Sequence, residues 1–268
     1  MNRGLYTAAA GMMMQMARQD ALANNLANVN TGGYKKQTAI SKEFPQMLIS
    51  RLGEAKYNLQ GELEPVKPKY IGNVGTGVCI DAIFTDYQEG RLRSTEQPTD
   101  LALVDNGITI ADGTYNPGFF VVNTPAGNRY TRNGEFKLSN EGYLSTNQGY
   151  RVLDTANQPI QIEGEFIVDK QGRILVNNEE IAQLQVVSFP NPNLMERVGD
   201  NLYNSTEEAT VAENPNILQG YIEESNVNAV QEMVTLISCT RAYESLQKMV
   251  QAEDELNDIA INQVAATM

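Results

Sequence analysis

The sequence contains no histidine and only two cysteines among its 268 residues. Histidine is the commonest general base and the commonest metal ligand, so its absence removes the triads and metal sites that depend on an imidazole. Cys79 and Cys239 are far apart and match no zinc, redox or disulfide spacing. We therefore predict no enzyme, no catalytic residue, no cofactor and no metal, and we expect each cysteine to be a small buried apolar residue.

Long apolar runs and basic residues are also scarce. No run of about 18 apolar residues is present, so we predict no membrane span. The N-terminal apolar stretch is interrupted by Gln15, Arg18 and Gln19 and leads to no typical cleavage site, which predicts no cleaved signal peptide. With 20 basic and 33 acidic residues the formal charge is -13, which disfavours nucleic acid or an anionic membrane surface as the main partner.

The first 29 residues have the periodicity of a long amphipathic helix. Its apolar side chains follow a three-four register that continues through Gln15 and Gln19. Gly32 and Gly33 in "NTGGY" supply the left-handed or loose backbone that ends helices. The apolar residues of this register are Leu5, Ala8, Met12, Leu22, Leu26 and Val29.

The C-terminal part of the chain has the same character. Asn228, followed by Gln231, resembles a capping box, so we expect a helix to begin there. An apolar stripe follows and extends towards Met268. Its members are Val230, Met233, Val234, Ile237, Cys239, Tyr243, Leu246, Val250, Leu256, Ile259 and Ala260.

Between these helices, apolar residues occur in short or alternating runs such as "GFFVV", "RILV" and "AQLQVVSF". Such runs are typical of strands, and their closeness in sequence favours antiparallel hairpins. The turn dipeptides that separate them are Asn106-Gly107, Asp112-Gly113, Asn133-Gly134, Glu141-Gly142 and Gln171-Gly172.

These patterns together predict an α+β fold. The long N- and C-terminal helices pair as a coiled-coil-like domain, and the middle forms a mainly antiparallel β-rich domain. Prolines at 65, 68 and 215 restrict helix in the two intervening stretches. The predicted ranges are 1–30 and 226–268 for the helical assembly domain, 31–68 and 206–225 for extended connecting segments, and 69–205 for the β-rich outer domain.

The first helix has two unusual features. Its asparagines either form a solvated face and a frayed end, or lie in a helix–helix seam, where a buried amide fixes register. Its methionines either fill an ordinary core, or give the helix more than one apolar face and a need for neighbours on several sides. The residues are Asn24, Asn25, Asn28 and Asn30, and Met12, Met13, Met14 and Met16.

Three classes of function fit these observations. One is a structural protein that assembles through its helices. A second is a secreted β-rich module that binds carbohydrate or cell wall and dimerises through a helical stalk, which needs only one helical end. A third is a glycosidase with paired carboxylates. The stretch "DNGITIADGTY" does not match the EF-hand template, because Gly107 occupies a ligand position and no glutamate closes the loop.

Several blocks of the sequence resemble one protein family. "ANNLANVNTGGYKKQ" is similar to the N-terminal signature of the bacterial flagellar axial proteins, the rod and hook subunits. Further blocks follow in the expected order, so the resemblance covers most of the chain. They are "GTGVCIDAIFTDYQEGRLRSTEQPTDLAL", "GFFVV", "RYTRNGEFKLSNEGYLSTNQGYRVL" and "GYIEESNVNAVQEMVTLISCTRAYESLQKMV".

The resemblance implies a structural subunit of the flagellar basal-body rod. The terminal helices would line a tubular drive shaft that connects motor to hook, and the β domain would lie outside. The implied partners are further copies of the chain, neighbouring rod and hook subunits, the flagellar type III export apparatus and ring proteins. The implied location is the basal body, outside the cytoplasm after signal-independent export.

The resemblance and the apolar stripes together define a predicted assembly interface. Polar residues in its seam would set the helical register of a polymer. Its residues are Leu22, Asn24, Asn25, Leu26, Asn28, Val29, Thr31, Gly33, Tyr34, Glu224, Ser225, Asn226, Val227, Asn228, Val230, Val234, Ile237, Arg241, Tyr243 and Leu246.

The resemblance favours a distal-rod subunit. The length, the short β domain and the segment "FPQMLISRLGEAKYNLQGEL" are similar to distal-rod proteins. The start "MNRGLYTAAAGMM" and the end "INQVAATM" are similar to a proximal-rod relative, so a proximal-rod or hook-type subunit is the alternative. The stretch near residues 104–117 departs from the family pattern and predicts an extra hairpin.

Overall fold

Two long helices flank a region of strands in the computed structural model, which describes residues 3–51, 69–75, 77–105, 116–212, 215–259 and 261–262. Helix α1 is Arg3–Ala27 and helix α2 is Ala229–Ile259. These elements confirm the predicted terminal helices and β-rich middle. Parts of four predictions lie outside the described residues: 106–115 of the hairpin predicted near 104–117, 52–68 of the connecting segment 31–68, residue 260 of the C-terminal stripe, and the helical residues beyond 262. The predicted domain boundaries stay a prediction.

Twenty strands lie between the helices in the described part of the chain. They are β1 (Lys36–Glu43), β2 (Met47–Arg51), β3 (Lys69–Val74), β4 (Val78–Asp86), β5 (Leu92–Ser94), β6 (Leu101–Leu103), β7 (Phe119–Thr124), β8 (Gly127–Thr131), β9 (Phe136–Leu138), β10 (Leu144–Thr146), β11 (Arg151–Val152), β12 (Phe166–Val168), β13 (Arg173–Val176), β14 (Glu179–Gln183), β15 (Val186–Ser188), β16 (Glu196–Gly199), β17 (Leu202–Asn204), β18 (Thr210–Val211), β19 (Ile217–Gln219) and β20 (Tyr221–Glu223). A short 3-10 helix occupies Pro192–Leu194.

The largest sheet has nine strands, in the order β16-β17-β8-β7-β11-β10-β9, with β15 also paired to β7 and β18 paired to β15. A three-stranded sheet has the order β12-β13-β14, and four two-stranded sheets pair β1 with β4, β2 with β3, β5 with β20 and β6 with β19. The nine-stranded and three-stranded sheets and the pairs β2 with β3, β5 with β20 and β6 with β19 are antiparallel. The predicted antiparallel pairing is therefore confirmed.

Several tight turns follow the predicted glycines. Gly142 lies between β9 and β10, and Gly172 lies between β12 and β13, each with a φ of 79° that favours glycine. The sequence analysis missed the Asn177-Asn178 turn between β13 and β14, where φ is 52° and 66°. Two consecutive left-handed residues are typical of a type I′ hairpin turn, and Asn tolerates that conformation.

Strand β7 is buried on both faces and divides the core in two. Phe120 and Val122 face one apolar cluster, and Phe119 and Val121 face the other. This explains why "GFFVV" is a continuous apolar run instead of an alternating one. The first cluster also contains Leu101, Leu103, Phe136, Leu144, Ile174 and Val186, and the second contains Tyr87, Leu153, Val187, Phe189 and Tyr203.

The chain divides into two compact units. The helical unit comprises Met1–Ala23, Thr38–Phe84 and Met233–Met268. In it the Cys239 thiol donates a hydrogen bond of 2.8 Å to Gln15 Oε1, and a Cβ atom on Gly11 would lie 3.1 Å from Leu246 Cδ1. The β unit comprises Asn24–Gln37 and Thr85–Glu232, so it includes the last turn of α1 and the first turn of α2.

Both cysteines carry free thiols. Cys239 is buried, as predicted, and burial raises the pKa of its thiol. Cys79 is only half-buried, so the prediction of full burial was wrong for this residue. The physical reason is its place on β4, a strand of a two-stranded sheet on which five of nine residues are exposed, so that little of either face is covered.

Gly134 lies in the connection between β8 and β9 and tests how closely this connection packs against β6. A Cβ atom there would lie 1.6 Å from the carbonyl oxygen of Leu101. Gly134→Ala must displace backbone, and we expect it to lower the free energy of unfolding by about 3 kcal/mol. Gly72→Ala is the control, because its Cβ would meet no atom within 4 Å. Urea unfolding compares the two, and equal stabilities would contradict this packing.

Candidate functional site

The two predicted signature segments, one from each end of the chain, meet in the β unit. Gly33 N donates to Glu223 O at 2.8 Å. Lys36 N donates to Asn226 Oδ1 at 2.8 Å, and Asn226 Nδ2 donates to the carbonyl oxygen of Asp86. We call this meeting point the joint, and define it as residues 24–37 and 221–232 together with Asp105 and Arg132.

Asn25 is the hydrogen-bonding centre of the joint. Its side chain is fully buried. Its Nδ2 group donates to Gln37 O at 2.8 Å and to Glu232 Oε2 at 3.2 Å. Its Oδ1 atom accepts from Tyr34 Oη at 3.1 Å and from Gln37 N at 2.9 Å. All four hydrogen-bonding positions of this amide are therefore used within one chain.

Glu232 joins the two helix ends. It lies in the first turn of α2 and is buried, although a glutamate at this place is usually solvated. Its Oε2 accepts from Asn25 in the last turn of α1, and its Oε1 accepts from Lys36 Nζ at 2.6 Å. The carboxylate also lies near the N-terminus of α2, where the helix dipole favours negative charge.

Arg132 is the deepest charge of the joint, with its side chain fully buried. Nε donates to Glu223 Oε2 at 2.6 Å. The two terminal nitrogens each donate to one oxygen of Asp105, at 2.6 and 2.8 Å. They also donate to Gly118 O at 2.7 Å and Leu103 O at 3.0 Å. All five N–H donors of the guanidinium thus have partners.

Glu223 connects this arginine to the first signature segment. Its Oε1 accepts from Lys35 Nζ at 2.7 Å and from Gly90 N at 2.8 Å. Lys35 is as buried as Glu223 and also donates to Gln88 O at 2.8 Å. Lys35, Glu223, Arg132 and Asp105 therefore form a chain of buried ion pairs, which we call the charge cluster.

The charges of the cluster shift one another. Burial lowers the pKa of Lys35, the nearby Arg132 lowers it further, and Glu223 opposes both. Burial alone would raise the pKa of Glu223, but Arg132 and Lys35 hold it below its usual value. For Arg132, burial acts to lower the pKa, and Glu223 and Asp105 together raise it. Arg132 and Glu223 are thus both charged at neutral pH.

Two glycines allow the segments to approach closely. Gly33 has a φ of 66°, and a Cβ atom there would lie 2.5 Å from the carbonyl carbon of Arg132. Gly90 would place a Cβ atom 1.9 Å from Glu224 O. No side chain fits at either place without moving backbone. The left-handed backbone predicted for the "NTGGY" segment is confirmed at Gly33, although α1 already ends at Ala27.

Other predicted residues act at the helix ends. Asn228 Oδ1 accepts from the backbone nitrogens of Val230 and Gln231, so its predicted role as the N-cap of α2 is confirmed. Asn28 Nδ2 donates to Asn24 O, and this bond satisfies a carbonyl group at the end of α1. Both bonds are local to one chain.

The predicted interface residues differ widely in exposure. The structure buries Leu22, Asn25, Gly33, Tyr34 and Val227. It leaves half-buried Leu26, Asn28, Val29, Thr31, Glu224, Ser225, Asn226, Tyr243 and Leu246. It leaves exposed Asn24, Asn228, Val230, Val234, Ile237 and Arg241.

A polar cleft of about 780 Å³ opens beside the joint. Both signature segments contribute to its wall, together with the loop that precedes β5. Its lining includes Asn30, Gly32, Glu89, Arg91, Glu224 and Asn226. Among the described residues no group of three or more acidic or cysteine side chains is placed to hold a metal ion, and neither α1 nor α2 is long and apolar enough to cross a membrane.

The sequence analysis missed the charged members of the joint. Lys35, Arg132 and Glu223 all lie within the quoted family blocks, but isolated charged residues are usually solvated, so they were not selected. The sequence does contain one indication that Arg132 belongs to a folded region. In "RYTRNGEF" it stands directly after an alternating strand pattern and before a turn. Its carboxylate partners are 27 and 91 residues away and carry no local signature.

Three family models match successive parts of the chain. "Flagella basal body rod protein" matches residues 5–35, "Flagellar hook protein FlgE/F/G D1 domain" matches 115–176, and "Flagellar basal body rod FlgEFG protein C-terminal" matches 218–263. The first of these matches covers residues 24–35 of the first signature segment of the joint, and the last covers the whole of the second segment, 221–232.

Whole proteins are similar over nearly the full length. The flagellar hook-basal body complex protein FlhO of Bacillus subtilis is 32% identical over 98% of this chain and 99% of its own. The flagellar basal-body rod protein FlgG of Borreliella burgdorferi is 34% identical over 98% of each chain. FlgG of Bacillus subtilis is 29% identical over 98% of this chain and 99% of its own.

Asn25 and Asn24 are neighbours with opposite environments, which makes them a matched pair. We expect Asn25→Ala to lower the free energy of unfolding by about 3 kcal/mol, because it leaves buried groups of Glu232 and Gln37 without a partner. Asn24 is exposed, and Asn24→Ala should change stability by less than about 0.5 kcal/mol. Chemical denaturation measures both, and equal losses would contradict the assigned role of Asn25.

Glu223 and Glu224 form a second matched pair. At neutral pH we expect Glu223→Gln to cost about 3–5 kcal/mol, since it leaves buried cations underpaired. The Glu224 side chain is 43% exposed in its ion pair with Arg93, and Glu224→Gln should cost less than about 1 kcal/mol.

The cost of Glu223→Gln should depend on pH. The pKa of Glu223 is lowered from 4.5 on folding, so its contribution is present above pH 4.5 and is lost as the pH falls through the lowered pKa. The stability difference between the wild type and Glu223→Gln should therefore shrink only below pH 4.5. Denaturation across an acid pH series measures it, and a difference that is constant down to acid unfolding would contradict the prediction.

Proposed function

The chain belongs to the flagellar basal-body rod and hook protein family, and from this premise we propose that it polymerises into the tubular rod through its two terminal helices. It is a structural subunit of the rod and works in the basal body of the flagellum. The observation that carries the proposed mode of assembly is an apolar stripe on α2 that the single chain leaves uncovered.

The stripe on α2 consists of Val230, Met233, Val234 and Ile237. Their side chains are 70%, 44%, 60% and 54% exposed. They follow one another at i, i+3, i+4 and i+7, so they form one continuous face. A contiguous apolar face marks an interaction site, since exposed apolar residues of a monomer are usually scattered singly. A neighbouring copy would cover it.

Helix α1 carries a second uncovered surface. Met13 is 70% exposed and Met16 is 51% exposed, whereas Ala8 on the same helix is buried. This supports the interpretation that α1 is apolar on more than one face and needs neighbours on several sides. Methionine side chains are flexible and fit irregular partner surfaces, which suits a subunit that meets several neighbours in a tube.

Pairing of α1 with α2 as a coiled coil is part of the proposal. Two contacts within the helical unit support it: the hydrogen bond from Cys239 to Gln15, and the approach of Leu246 to Gly11. Contacts of this kind would use one side of each helix within a chain and leave the uncovered faces for neighbouring copies.

We distinguish two groups among the predicted interface residues. Asn25, Gly33, Tyr34 and Asn226 act within the chain, because their polar groups or close approaches are satisfied in the joint. The exposed group makes the contacts between subunits, and heterologous contacts of this kind build an open polymer. Its members are Asn24, Val230, Val234, Ile237 and Arg241, whereas the exposed Asn228 caps α2 within its own chain.

We place the subunit in the distal part of the rod, with a proximal-rod or hook-type position as the alternative. The relatives named FlgG are rod proteins, and FlhO is named as a hook-basal body complex protein. Export by the flagellar type III apparatus, contact with ring proteins and the lack of enzyme activity belong to the same proposal. A binding module on a stalk is less well supported, because both ends of the chain are helical.

Ile237→Glu tests the apolar stripe. The side chain is exposed, so we expect the free energy of unfolding of the monomer to change by less than about 0.5 kcal/mol. A charge on the covered face of a polymer would be desolvated, so we expect polymerisation and motility to be lost. Gln247→Glu is the control, since it adds the same charge at an exposed polar position. Sedimentation of polymers and swimming assays measure the effect.

Normal polymers and normal motility with Ile237→Glu would remove the stripe from the interface. Hydrogen exchange gives an independent test of assembly through the helices. We expect the part of α2 that carries Met233, Val234 and Ile237 to exchange rapidly in a monomer of confirmed mass, and to become protected in the polymer.

A further inference from the structure

We propose that Lys35, Glu223 and Arg132 are positioning residues for polymerisation, which hold the roots of both terminal helices in place before any other copy binds. The roots are the last turn of α1 with the segment that follows it to residue 37, and the first turn of α2 with the segment that precedes it from residue 221. Both belong to the β unit together with the charge cluster. The assembly half of this inference rests on the proposed function, whereas the half that concerns the monomer does not.

Two consecutive lysines make the connection. Lys35 donates to Glu223 at 2.7 Å and Lys36 donates to Glu232 at 2.6 Å. Neighbouring residues of an extended chain point to opposite sides, so this dipeptide reaches a carboxylate on either side. One carboxylate is anchored on Arg132, and the other is bonded to Asn25 at the end of α1. The charge cluster and the helix roots are therefore linked through two adjacent residues.

The charge cluster contributes more to fixing the positions of its partners than to the free energy of unfolding. Replacing a buried ion pair by apolar residues of similar size is often neutral or stabilising, because the charges must be desolvated. Ion pairs with several donors and acceptors nevertheless require one arrangement of their partners. A variant that removes the charges but keeps the volume should therefore fold, and should fix the roots less firmly.

Fixed roots reduce the ordering that polymerisation requires. Binding is weakened by every segment that must be immobilised at the same time, and a part that is already ordered adds no such cost. With the roots held, only the helices beyond the joint remain to be ordered by contact with other copies. Loosening the roots should raise the critical concentration for polymerisation, even where the β unit is intact.

The test uses the double variant Lys35→Met with Glu223→Gln in the full chain. Removing one charge of each sign avoids the unpaired charge that either single variant leaves. The matched control is Arg151→Met with Glu141→Gln, which removes an exposed ion pair outside the joint and outside the predicted interface in the same way. Hydrogen exchange followed by mass spectrometry is read on peptides covering 28–37, 221–232 and 119–131, and the critical concentration is measured by sedimentation.

We expect the wild-type monomer to protect the peptides 28–37 and 221–232 as well as the strand peptide 119–131. In the double variant the first two should exchange at least about tenfold faster while the strand peptide is unchanged. The critical concentration should rise about tenfold. The control should match the wild type in all four measurements.

Three outcomes would overturn the inference. One is rapid exchange of 28–37 and 221–232 in the wild-type monomer. A second is a double variant with unchanged exchange in these peptides. A third is a double variant with loosened roots and an unchanged critical concentration. A wild-type chain that protects the joint but forms no polymer would instead overturn the proposed function and leave the monomer half of the inference standing.

Discussion

The ion pairs of Arg132 hold the joint together. A guanidinium without solvent is tolerated only where its five donors are matched, and here two carboxylates and two carbonyl groups supply the acceptors. Glu223 then carries the connection to Lys35, and thus to the chain that leaves α1. Residues far apart in sequence are fixed beside one another by a single buried side chain, and the roots of both helices depend on it.

In this arrangement the asparagines of the first signature have different structural environments. Asn25 lies in a seam, but the seam is within the chain, where its amide hydrogen-bonds Glu232 at the start of α2 and Tyr34 and Gln37 after the end of α1. Asn28 closes the end of α1, and Asn24 is exposed. The residues of one short motif therefore differ in environment, since some form hydrogen bonds within the chain and Asn24 is exposed. A signature of an assembling protein need not consist of assembly contacts.

Much of the fold could be predicted from periodicity. The helices follow from their apolar registers, and the hairpins follow from short strands with glycine turns, because both signals are local. The charge cluster was missed because its members are single charged residues whose partners lie up to 188 residues away. Nothing in the neighbourhood of Lys35 distinguishes a buried charge from a solvated one. Burial of Cys79 was overestimated because exposure at a sheet edge depends on tertiary pairing.

The two adjacent lysines fix the number of residues in the segment that leads from Gly33 to Lys36. Lys35 and Lys36 reach different carboxylates because they are adjacent in an extended segment that begins just after Gly33. One residue inserted between Gly33 and Lys35 would exchange the sides to which the lysines point. Lys35 would then no longer point towards Glu223, its ion-pair partner. Insertions and deletions should therefore be excluded from this segment during evolution, while turns that contact no other segment remain free to lengthen.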